Sequence, residues 1–141
     1  MKDWDEIAST SELPAAQEIK RSWEAGDLEE AERGLNQLIE TMSRSERRAL
    51  ESQLVRLMHH IIKWKIQPEK RSKSWILFIK NARFEIAGLR KYTPSLNENF
   101  IESIWEESFV EALDEAETET GVSAKDVQLT WDEVFEKPYT L

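Results

Sequence analysis

The sequence predicts an all-α protein, on three observations. Apolar residues recur at helical spacing over most of the 141 residues, the four glycines and four prolines fall mostly at expected helix ends, and no useful run of strand alternation is present. The expected architecture is one domain, residues 1–141: a bundle of four to five antiparallel helices plus a short C-terminal helix, with residues 1–12 and 137–141 loosely ordered.

Ser11 and Pro14 predict an N-cap followed by proline in the first turn of a helix that ends near Ala25, at Gly26. Asp27 can cap a second helix carrying Leu28, Leu35, Leu38, Ile39 and Met42, with Gly34 a weak point in its middle. Ser43-Arg-Ser-Glu46 reads as a capping box that opens a third helix. Its stripe is Leu50, Leu54, Leu57, Met58, Ile61 and Ile62, and Pro68 limits its far end. A fourth helix is expected from about Ser72 to Lys91, with Trp75, Phe78, Ile79, Ala82, Ile86 and Leu89 on its apolar face. Ser95-Leu-Asn-Glu98 reads as a second capping box, opening a fifth helix to about Thr120, where Gly121 takes the residue after the end. Thr130-Trp-Asp-Glu133 opens the short last one.

Charge is segregated along the chain. Residues 1–43 hold 4 Lys/Arg against 11 Asp/Glu, residues 44–91 hold 13 against 4, and residues 92–141 hold 2 against 13, for a net charge of −9. Antiparallel neighbours in a bundle would bring the basic middle against acidic flanks, so internal ion pairing is the expected use of most of the basic block. With no cysteine the chain has no disulfide framework, thiolate metal site or thiol nucleophile, which fits a reducing cytosol. Its acidic N-terminus lacks an apolar signal core and no run is long enough to span a membrane, so a cytoplasmic, non-membrane protein is expected.

No catalytic constellation is legible in the sequence. His59 and His60 are adjacent, about 100° apart on a helix, and cannot share a metal face as an i, i+4 pair would. The positions three before them are Arg56 and Leu57, where a di-iron bundle needs Glu. No zinc-protease motif, nucleophile elbow or phosphate loop occurs, so no metal, cofactor or catalytic residue is expected. One imidazole is expected to pack beside Trp64. An enzyme using His60 with Glu107 or Glu111 is a third reading.

The most distinctive stretch runs from Lys63 to Trp75, around Pro68. Its candidate binding residues are His60, Lys63, Trp64, Gln67, Lys70, Arg71, Lys73 and Trp75, with Lys65 also basic. They can present cations and an aromatic to an acidic partner or to phosphates, or simply form a corner between two helices. Between residues 63 and 91 nine basic residues face two acidic ones, but the net charge opposes a polyanion. The leading reading is a non-enzymatic protein–protein interaction module with another protein as partner. Nucleic-acid binding is the alternative, and a homo-oligomer is compatible with either.

The runs Ser45-Glu-Arg-Arg-Ala-Leu-Glu-Ser52, His60-Ile-Ile-Lys-Trp-Lys-Ile-Gln-Pro68 and Ser72-Lys-Ser-Trp75 resemble bacterial domain-of-unknown-function family twenty-nine, as do Pro94-Ser-Leu96 and Glu117-Thr-Glu-Thr-Gly121. The resemblance covers about residues 20–136. It implies an all-α fold and brings no activity, cofactor or catalytic residue. The chain departs from the family's common pattern at Gln37-Leu38-Ile39-Glu40, where a glutamate pair is usual, and around Gln128-Leu129, where a Cys-Pro pair is common.

Overall fold

The computed structural model describes residues 2–10 and 12–141, and no strand occurs among them. The protein is all-α. Five α-helices follow one another: α1 (Trp4–Thr10), α2 (Glu12–Glu24), α3 (Leu28–Ile66), α4 (Lys73–Tyr92) and α5 (Glu98–Thr120). A 3-10 turn, Pro68–Lys70, separates α3 from α4, and a π-helical turn, Asp132–Glu136, lies near the C-terminus. Contacts divide the chain into two compact units, residues 1–47 and 48–141.

Several boundaries differ from expectation, each for a local reason. The second and third predicted helices are one, α3, because nothing between Gly34 and Pro68 breaks a helix. Ser43 therefore lies inside it and caps nothing; its hydroxyl instead accepts from Arg47 Nη2 at 3.2 Å. The predicted Ser11 cap lies outside the described residues. Helix α1 was not foreseen. Trp4 of α1 and Tyr139 near the C-terminus are both buried. Helix α5 is capped by Asn97, whose side chain accepts from Phe100 N at 2.9 Å, in place of Ser95.

Other signals are met as read. Gly26 and Gly121 take positive φ (80° and 71°) after α2 and α5, a conformation that costs glycine little. Ser72 caps α4. Thr130 and Glu133 form the reciprocal capping box, with Glu133 N donating to Thr130 Oγ1 at 3.2 Å and Thr130 N donating to Glu133 Oε1 at 3.1 Å.

In the first unit, Ala8, Ala15 and Leu38 form a small core with Ile7 and Ile19. Trp4 is buried beside it, with its Nε1 donating to Glu30 Oε1 at 2.7 Å. Gly34 makes that position available: a Cβ there would lie 2.7 Å from the Trp4 ring and 2.8 Å from Ile19. Glu30 also accepts from Lys2 N at 3.0 Å and pairs with Arg33.

The second unit is built around one larger cluster, in which Leu50, Leu54, Leu57, Met58, Ile61 and Ile62 of α3 meet Ile79, Ala82 and Ile86 of α4 and Ile101, Ile104 and Ala112 of α5. Directions follow from which residues meet. His60 meets Phe78 and Lys63 meets Trp75, so α3 and α4 are antiparallel. His59 meets Glu115 and Lys63 meets Glu119, so α3 and α5 run in the same direction.

Candidate functional site

The Lys63–Trp75 corner is held together by its own side chains. Lys63 is only 7% exposed; its stem is buried and its Nζ lies 4.6 Å from the Trp75 ring centroid while donating to Glu119 Oε1 at 2.9 Å. That hydrogen bond is the main reason the Glu119 carboxyl stays below its ordinary range. Trp64 is buried edge-on to Tyr139, with the Arg71 guanidinium 4.7 Å from its ring. Arg71 Nε donates to the Trp64 carbonyl at 2.8 Å, and Lys65 Nζ donates to the Gln128 carbonyl at 3.0 Å and pairs with Glu133. Gln67 is buried, its carbonyl accepting from Lys70 N. A cleft of about 240 Å³ opens between Lys63, Gln67, Lys70, Trp75 and Glu119. Lys70 and Lys73 are exposed and have no ion pair among the described residues.

The expected internal neutralisation of the basic block is thus only partial. Among the described residues, Arg44, Lys63 and Lys65 pair with carboxylates. Arg71, Arg83 and Arg90 do something else: each donates to carbonyls of a neighbouring segment, Arg83 to Val134 and Glu133 and Arg90 to Leu96. A guanidinium can satisfy two carbonyls from one plane, so it secures connections where backbone acceptors would otherwise be orphaned.

The histidines do not pack beside Trp64 as expected. His60 turns toward α4, stacked on Phe78 at 4.6 Å and on His59 at 5.2 Å, while Trp64 turns toward Tyr139. Its Nδ1 donates to the Arg56 carbonyl at 2.9 Å, and burial pushes its pKa below the ordinary imidazole value. The imidazole that carboxylates reach is His59, with Nδ1 3.1 Å from Glu115 Oε2 and Nε2 2.5 Å from Glu119 Oε2. An open groove of about 490 Å³ lies alongside, lined by Arg48, Arg56, both histidines and Glu51, Glu111 and Glu115. Burial, then repulsion from Glu107 and Glu111, pushes the Glu51 carboxyl up. Among the described residues no three His, Cys, Asp or Glu side chains are placed to hold a metal ion. No helix among them is long and apolar enough to cross a membrane.

The outer face of α4 carries a feature that sequence reasoning missed. Lys73, Leu77, Lys80, Phe84, Ala87 and Lys91 follow alternating spacings of four and three and are all exposed. Leu77 is 58% and Phe84 76% exposed, opposite the buried Ile79, Ala82 and Ile86. The spacing was legible, but α4 has apolar residues on two sides, and only the packing decides which side faces the core. Phe78, read as core, is 45% exposed at the edge between them.

These features define an all-helical protein whose Lys-Trp corner is closed by cation–π and carbonyl contacts. The chain belongs to the family described as Domain of unknown function DUF29, whose model matches residues 16–140. No curated protein and no solved structure matches.

Proposed function

We propose that the chain is a cytoplasmic bacterial protein-interaction module, and that the outer face of α4 receives an acidic amphipathic segment of a partner protein. The observation that carries this reading is the row of lysines interleaved with exposed Leu77 and Phe84. Large exposed apolar side chains mark interaction surfaces, and unpaired lysines beside them select carboxylates and steer their approach. A nucleic acid would also meet these cations, but the net charge of −9 opposes it and the exposed Leu77 has no use in contacting phosphates.

The test uses two variants of the full chain, Lys73→Glu with Lys80→Glu, and Phe84→Ser, compared with the native chain in affinity purification from the host and in titration with a single-stranded oligonucleotide. The expected result is a partner retained by the native chain and lost by both variants, contacting α4 through an acidic, apolar segment. Oligonucleotide binding that falls steeply with salt and is lost on lysine reversal, whether or not Phe84→Ser also weakens it by removing a ring that can stack on a base, would replace this reading with the nucleic-acid one. A partner indifferent to both variants would remove α4 as the site.

A further inference from the structure

The Lys63–Trp75 corner holds a buried polar side chain with no partner among the described residues. Gln67 follows the last residue of α3 and is only 6% exposed. Its side-chain amide neither donates nor accepts a hydrogen bond among those residues. The one side-chain atom there that is both unpartnered and sealed from solvent is Ser108 Oγ, so the Gln67 amide still opens outward, into the cleft of about 240 Å³ that it lines. An amide carries two donors and an acceptor, and leaving all of them unpaired at a buried position is costly. A ligand in the cleft would satisfy them.

The rest of the cleft states the chemistry of that ligand. Its other walls are Lys63, Lys70, Trp75, Glu119 and Thr120. Glu119 is already used on both oxygens, by Lys63 Nζ and by His59, and the Thr120 hydroxyl donates to the Ala116 carbonyl while accepting from Val122 N. Carbonyls at the nearby helix ends are taken as well, Trp64 by Arg71 Nε and Glu117 by Gly121 N. What stays free is the unpaired Lys70 ammonium, the remaining N–H bonds of Lys63 and the Gln67 amide. Lys63 and Lys70 against Glu119 leave one positive charge in excess, so a single negative charge is neutralised and a second is not. Gln67 Oε1 is met only if the ligand also brings a donor. At this volume, below the roughly 300–1,000 Å³ of drug-sized pockets, the occupant has few heavy atoms.

We propose that this cleft binds a small organic monoanion, a carboxylate with an N–H or O–H donor beside it. The carboxylate meets Lys70 and the free N–H bonds of Lys63 in charge-assisted hydrogen bonds, the donor reaches Gln67 Oε1, and the apolar part of the ligand lies against Trp75. A free hydroxy or acylamino acid offers this group, and so does the C-terminal residue of a peptide chain. The cleft draws on α3, the 3-10 turn, the first turn of α4 and the end of α5, and on none of the Leu77–Phe84 row, so either surface can fail without the other.

Heteronuclear NMR of the full chain reads the site directly, through the Gln67 side-chain amide and the Trp75 indole N–H. Titration with N-acetylglycine should shift both saturably, with a Kd on the order of 1 mM for so few atoms. Acetate, which lacks the donor, and N-acetylglycinamide, which lacks the charge, should each bind at least about tenfold more weakly. Inorganic phosphate, held as the dianion, should do no better than acetate. A short peptide ending in free glycine separates the two sources: tighter binding than N-acetylglycine assigns the site to a chain terminus, and equal or weaker binding to a free acid. Lys70→Met, at an exposed position, and Gln67→Leu, of similar volume, should each weaken N-acetylglycine by about tenfold, while Phe84→Ser leaves it unchanged. No saturable shift up to about 10 mM, equal binding of N-acetylglycinamide, tighter binding of phosphate, or indifference to Lys70→Met would each overturn the proposal.

Discussion

The two units use the same kind of amphipathic helix and arrive at different surfaces. In residues 48–141, α3, α4, α5 and the segments that follow α4 and α5 gather nineteen buried residues into one cluster, with leucine and isoleucine at its centre. In residues 1–47 the buried side chains are mostly small, Ala8, Ala15 and Ala31, while Leu13, Trp23, Leu28, Leu35, Ile39 and Met42 are exposed. Small residues let helices approach closely but bury little apolar area, so α3 is committed to a large core over residues 50–62 and leaves large apolar side chains exposed over residues 28–42. Apolar patterning alone therefore does not distinguish a buried helix side from an exposed one.

That contrast can be broken by substitution. Leu57→Ala, in the larger cluster, is expected to cost about 2–5 kcal/mol, whereas Leu35→Ala should stay within about 0.5 kcal/mol. Chemical denaturation of both variants checks this; equal losses would mean that the first unit buries Leu35 after all. The two helical glycines sharpen the same point. Gly34→Ala drives a Cβ into the Trp4 ring and Ile19, an overpacking expected to cost about 1–3 kcal/mol. Gly88→Ala in α4 meets nothing within 4 Å and should stabilise by about 0.5–1 kcal/mol, so thermal unfolding should move in opposite directions.

A pH titration gives the smallest and most local effect. The Arg33 hydrogen bond, then the Lys2 amide, with Trp4 also donating, hold the Glu30 carboxyl down at about 2, against an ordinary 4.5. A depressed folded pKa stabilises the fold above the unfolded value, so this contribution is complete above about pH 4.5 and is lost as pH falls toward 2. The Trp4 indole N–H resonance should shift across that window in the native chain and lose the transition in Glu30→Gln.

Much of the fold was legible in residues with a strong local preference: Gly26 and Gly121 at positive φ, Ser72 and the Thr130–Glu133 box at caps, Pro68 after α3. Ser43-Arg-Ser-Glu46 misled because a capping box competes with helix propagation, and here no glycine or proline interrupts residues 35–67 on either side of it. Of the candidate binding residues, Lys63, Trp64 and Arg71 read as cations and an aromatic, but their contacts with Trp75, Tyr139 and a carbonyl come from distant positions that no local pattern reports. The Leu77–Phe84 face and the exposed Leu28–Met42 stripe escaped for a related reason: a helix with apolar residues on more than one side leaves its buried side unspecified.

By itself, then, the sequence determined the helical class, most helix ends and the segregation of charge, because caps, glycines, prolines and periodicity act within a few residues. Only the tertiary structure decided which side of each helix is buried, that His59 and not His60 reaches the carboxylates, and that guanidiniums close connections where ion pairs were expected. Those outcomes depend on which helices meet and in what direction, and contact between residues fifty positions apart is settled by packing and not by local preference.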